Sequence, residues 1–120
     1  HMTKHTPGPW TIYEGGNFVK VHGPTYRKET RYRAGPGMVA DVDRDTNEDN
    51  SPNHAPAKAN ARLIAAAPEL LEACKATEEW TDRLLGGFEG EAQQIEIYNL
   101  GMKAKELTRL AIQKAEASHD

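Results

Sequence analysis

A chain of 120 residues with 15 Lys and Arg against 18 Asp and Glu carries a net charge of -3, which excludes a global electrostatic commitment to nucleic acid or anionic membrane. The length sits at the modal size of one domain, too short for a two-domain enzyme with a hinged cleft. With its glycines the apolar fraction reaches about 46%, which excludes wholesale disorder. His1 and Met2 read as a cloning scar followed by the natural start, and residues 1–120 are expected to form a single domain with a thin core, for which self-association is a natural route to more burial.

Composition divides the chain near residue 56. Six of the seven prolines lie at or before Pro56, whereas Ala, Leu and Glu dominate after it, so residues 6–43 read as turn-rich sheet and 57–117 as a helical hairpin. Trp10 and Ile12 alternate with Thr11 and Tyr13, the period of a half-buried strand, and Glu14-Gly-Gly-Asn17 is hairpin-turn chemistry leading into a second strand, Phe18–His22. Tyr26–Arg33 is predicted as a third strand, and Met38–Asp43, with Met38, Ala40 and Val42 on one face, as a fourth. Residues 44–56 contain no apolar anchor and read as a solvated, mobile loop.

The first helix is expected from Ala57 to about Leu84, with Asn53 as its cap. Ala57, Ala61, Ile64, Ala67, Leu71 and Cys74 form its apolar stripe, which places the Cys74 thiol in an inert, buried position, and Leu63, Ala66, Leu70 and Ala73 widen it to a second face. Pro68 lies inside this run, where it removes a backbone donor and clashes with the preceding turn, so a kink or a one-turn break is expected at Ala67, with Pro68-Glu69 restarting the helix. Gly86, Gly87 and Gly90 mark the reversal into a second helix, Glu91–Ala117. Ile97, Leu100, Ala104, Leu107 and Ala111 make its narrow seam, and Ile95, Tyr98, Met102, Arg109 and Ile112 a second stripe that suits a partner subunit. The fold class is therefore α+β: a three- to four-stranded antiparallel sheet followed by a pair of antiparallel helices.

No catalytic constellation emerges. The alternating acids from Asp41 to Asp49 lack the glycine and glutamate of a calcium-binding loop in either register. The histidines have no metal-ligand spacing, one cysteine cannot build a thiolate zinc site, and Ser51 and Ser118 sit in no nucleophile motif. The expectation is a non-enzyme without cofactor or metal. The most informative segment is Tyr26–Arg33, where four cations and two aromatics suit phosphate pairing and base stacking, although the same composition occurs on solvated strands. Lys105 and Arg109, one helical turn apart, can reach a single anion, or simply solvate an outer face.

Thr6-Pro-Gly-Pro-Trp10 and Ala59-Asn-Ala-Arg-Leu-Ile-Ala-Ala-Ala-Pro-Glu-Leu-Leu-Glu-Ala-Cys-Lys75 resemble a widespread set of small bacteriophage and prophage proteins. The order of elements, an antiparallel sheet followed by paired helices in an oligomer, is similar to the Thoeris anti-defence sponge family. That similarity implies a protein that sequesters a cyclic ADP-ribose or cyclic oligonucleotide signal at subunit interfaces without cleaving it, inside an infected or lysogenic bacterial cytoplasm. Its implied partners are further copies of itself and the nucleotide. Arg27, Arg31, Arg33, Lys105 and Arg109 are then candidates for phosphate pairing, Trp10, Phe18 and Tyr32 for base stacking, and Asn60 and Arg62 for polar contacts. The family's last-helix arginines at i, i+4 match only Lys105 and Arg109, where a lysine replaces one bidentate fork. The alternative is a protein-interaction module that docks on a host or phage protein through Ile95, Tyr98 and Met102. DNA binding ranks third: Lys103, Lys105, Arg109 and Lys114 lie on the second helix, but there is no helix-turn-helix cadence.

Overall fold

In a computed structural model, residues 5–15, 18–26, 37–42, 45–46, 52–87 and 89–116 are described. They form β1 (Thr11–Glu14), β2 (Val19–His22), β3 (Met38–Val42), β4 (Asp45–Thr46), β5 (Pro52–Asn53), α1 (His54–Ala65), α2 (Ala67–Leu85) and α3 (Gly90–Glu116). The fold is α+β, as the composition divide predicts. By internal packing the chain divides into two compact units, one of residues 1–68 with 114–120 and one of Glu69–Gln113.

The first unit is a three-stranded antiparallel sheet in the order β1-β2-β3 with α1 against it. Register places Ile12 opposite Val21 and Val21 opposite Ala40, so these apolar residues share one face of the pleat. Val19 and Val21 are fully buried there with Ala57, Ala61 and Ala65 of α1, and Trp10, Ile12, Val42 and Ile64 close the cluster. Alanines at i, i+4 and i+8 let α1 approach the sheet closely, at the expense of a small core. Lys58 reaches back to Glu14 at 3.5 Å. Gly37, at φ +89°, lies against the backbone of Thr25 and Tyr26, where any Cβ would stand 2.3 Å from the Tyr26 nitrogen.

Three expectations need correction. The segment 44–56, read as a mobile loop, contains a two-stranded ribbon, with Asp45 opposite Asn53 and Thr46 opposite Pro52; backbone pairing needs no apolar anchor, so hydrophobic period gives no warning of it. Helix starts at His54, three residues before Ala57, and three helices replace the expected pair because the break falls at Ala66. There the Ala66 N–H is shared between the Arg62 and Leu63 carbonyls, the tightened end of α1 before Pro68. Finally, Cys74 is exposed. At 3.6 residues per turn a stripe through Leu71 and Cys74 drifts off the face of Ala57, Ala61 and Ala65, and α2 buries Ala73, from the expected second face, with Ala76. The expected strand Tyr26–Arg33 lies outside the described residues except for Tyr26.

The other face of the sheet carries rings. Tyr13 packs on Phe18 and His22, and His22 stacks on Tyr26 with centroids 4.0 Å apart and planes 14° from parallel. Neither His22 ring nitrogen nor the Tyr26 hydroxyl has a hydrogen-bond partner among the described residues. Burial holds the His22 pKa below its ordinary value, with the Gly23 backbone acting the other way. A histidine whose folded pKa is depressed binds fewer protons than the unfolded chain at mildly acid pH, so stability is full above the unfolded value, ~6.5, and is lost as pH falls below it. Thermal melts between pH 7.5 and 5.5 are expected to show a fall in melting temperature that is shallower in His22→Phe; parallel curves for the two proteins would refute this.

Candidate functional site

The second unit is an antiparallel hairpin of α2 and α3. Arg83 ion-pairs with Glu96, and Trp80 lies against Gly101, so contacts that run backward along α2 run forward along α3. Ala73 and Ala76 of α2, with Ile97, Ala104 and Ala111 of α3, are the buried residues. The seam expected from Ile97 to Ala111 is thus the inward face of α3, with Leu100 and Leu107 partly buried. The second stripe faces outward: Ile95 is 58% exposed and Tyr98 65%.

Between the helices, on one side, runs an apolar groove of about 690 Å³. Thr77 and Trp80 supply one wall, and Tyr98, Met102, Lys105, Arg109 and Ile112 the other, with Gly101 as its floor beneath the indole. A Cβ at Gly101 would stand 2.7 Å from Trp80 Nε1 and 2.9 Å from Cε2, so the glycine is what lets the indole sit across the helix. The signal in the sequence is a glycine inside a long helical pattern, which costs roughly 1 kcal/mol against alanine and calls for a packing reason. Lys105 and Arg109 bring the charge. Arg109 Nη2 donates to Glu106 Oε2 at 2.6 Å and Nε to Oε1 at 3.2 Å. This hydrogen-bonded pairing holds the Arg109 pKa above, and that of Glu106 below, its usual value. A second groove, of about 740 Å³, is lined by Leu70, Leu71, Cys74 and Glu78 and meets the first at Thr77, Thr108 and Ile112.

The residues singled out from sequence are distributed over both units and the undescribed segment. Lys105 and Arg109 share the α2–α3 groove. Trp10 and Phe18 belong to the sheet unit, where the Trp10 indole donates to the Thr6 carbonyl and Phe18 lies beneath the Lys20 ammonium. Asn60 is exposed and Arg62 partly buried on α1. Arg27, Arg31, Tyr32 and Arg33 lie outside the described residues. Trp80 and Tyr98, the aromatics that flank the two cations, were not among the stacking candidates; they fall on helical periods, where apolar residues read first as core. Among the described residues no three His, Cys, Asp or Glu side chains gather as metal ligands, and no helix is long and apolar enough to cross a membrane.

Against known families, residues 2–119 match the model of Salmonella phage P22 protein Y8K6. The chain belongs to that phage protein family. Almost its whole length is covered, so the family includes both the sheet unit and the helical hairpin, and the two motifs that resemble phage proteins lie within the match. No curated protein and no solved structure matches the chain.

Proposed function

We propose that this phage-family protein is a non-enzymatic binding protein that holds a small phosphorylated nucleotide, such as a cyclic signal of host immunity, in the α2–α3 groove and sequesters it unchanged. The observation that carries this reading is the meeting of Lys105 and Arg109 with Trp80 and Tyr98 around one groove. Its volume lies in the range of small-molecule sites, which are mostly apolar with a few placed polar groups. The indole and phenol rings offer π-faces to a base, the lysine a point charge and the arginine a fork for phosphate oxygens. An incoming phosphate has to take Arg109 from Glu106, which favours the more highly charged ligand. The likeness in element order to the Thoeris sponge family points the same way.

Isothermal titration with cyclic ADP-ribose isomers and cyclic di- and trinucleotides tests it. A saturable, salt-sensitive heat from at least one ligand is expected, weakened roughly tenfold or more by Lys105→Ala with Arg109→Ala, since each charge-assisted hydrogen bond contributes about 1.5–3 kcal/mol when well shielded and less at an exposed edge. Silence across the panel would overturn the reading. A second reading, a protein-interaction module, is favoured by one observation: Ile95, Tyr98 and Met102 are exposed at i, i+3 and i+7, and Ile95 lies outside the groove lining. Capture of one host protein that Ile95→Glu abolishes and the double alanine variant preserves would support it.

A further inference from the structure

The hairpin is inside out by side-chain size. Its buried residues are alanines and Ile97, while Leu71, Met102, Leu110 and Ile112 are each more than a third exposed. Two helices have only one mutual face, so a pair that spends that face on alanine leaves its larger apolar groups without cover. Two grooves run along the hairpin and meet at Thr77, Thr108 and Ile112, which leaves a broad surface with small side chains along its middle.

We propose that this surface is covered by the hairpin of a second copy of the same chain, packed about a two-fold axis. Charge distribution selects that occupant. Lys105 and the Glu106-paired Arg109 border the groove on the α3 side, whereas Glu78 and the Glu72-paired Lys75 border the one on the α2 side. Over Glu69–Leu85, α2 carries Glu69, Glu72, Glu78, Glu79 and Asp82 against Lys75 and Arg83. A two-fold axis that sets α2 of one copy against the C-terminal half of α3 of the other brings Glu78 to Lys105 and the net-acidic α2 to the net-basic end of α3, twice per dimer. An isologous interface has to be self-complementary in this way, and the result is a four-helix bundle in which Leu71, Met102 and Ile112 become core. This occupant takes the same groove face and the same Lys105 as the nucleotide of the proposed function, so the two are alternatives for one surface, and the copy-to-copy contact is tested with nucleotide absent.

Sedimentation velocity on the full chain without nucleotide tests it. The wild type is expected to form dimers, and Leu71→Glu with Ile112→Glu to yield monomers that keep their helical circular dichroism. Glu78→Lys and Lys105→Glu are each expected to weaken association about tenfold, because two facing pairs turn repulsive. An equimolar mixture of the two variants restores it, since each reversed residue then faces its opposite; a folding defect would not be rescued by mixing. A wild type that stays monomeric at high concentration, association that neither reversal weakens, or a mixture no tighter than its components would overturn the proposal. Failure of the nucleotide titration leaves all of these readouts untouched.

Discussion

Val21→Asp is expected to abolish the fold of the sheet unit. Val21 is fully buried in the middle of the central strand, with Ile12 on one side and Ala40 on the other, and it belongs to the cluster that α1 covers with Ala57, Ala61 and Ala65. An aspartate there has no cation among the cluster residues, so it is buried either charged and unpaired or protonated and without its water hydrogen bonds. Either state costs several kcal/mol, on top of the lost transfer energy of the valine methyls. Domains of this size are stable by only about 5–15 kcal/mol, and a cluster whose buried members among the described residues are two valines and three alanines belongs at the low end. Val21→Ala, which leaves only a cavity, should cost about 2 kcal/mol and still fold. Amide exchange over β1–β3 and α1 distinguishes the outcomes: protection is expected to vanish in the aspartate variant and to weaken in the alanine one. Native protection in Val21→Asp at neutral pH would mean that the sheet is not held by this cluster.

What the sequence made legible follows from which forces have a period. The alternation at Trp10–Tyr13 gives the first strand and its faces, because a pleat exposes every second side chain to one environment, and the turn chemistry at Glu14–Asn17 gives the second, Phe18–His22. The 3, 4, 3, 4 spacing from Ile97 to Ala111 gives the seam of α3 in the same way. Pro68 gives a break within one residue of its place, since the proline acts locally on the turn before it. The exposure of Cys74 was not legible from its stripe, because a stripe stepped 4, 3, 3, 4, 3 drifts round the helix, and over 17 residues Cys74 leaves the face that Ala57 buries. The β4–β5 ribbon left no trace for a different reason, as it is joined by backbone groups that every sequence has. At the groove, Lys105 and Arg109 were identified by charge and spacing alone, but their aromatic neighbours were not. Trp80 reaches the site through a contact between helices, and such a contact is written in no local pattern except the glycine it requires.

That glycine yields the second large effect. Gly101→Val is expected to lower stability by about 2 kcal/mol and to expel the Trp80 indole from the groove. Two contributions oppose each other. Any side chain in place of glycine stiffens the helix, worth up to ~1 kcal/mol for alanine and less for β-branched valine. Against this, a Cβ at 101 falls 2.7 Å from Trp80 Nε1 and 2.9 Å from Cε2, inside contact distance of a rigid ring, and valine adds two γ-carbons. Overpacking of that kind costs about 1–3 kcal/mol, so the clash wins for valine and nearly balances for alanine. In a Trp10→Phe background, where Trp80 is the sole indole, the valine variant should show red-shifted emission and a lower melting temperature, with Gly101→Ala between it and the parent. Nucleotide heats should fall with the indole if the base stacks there, whereas a partner that grips only Ile95 and its neighbours should bind as before. Emission and melting temperature both unchanged in Gly101→Val would show that the Trp80 indole does not lie over Gly101, and the aromatic half of the proposed site would fall with it.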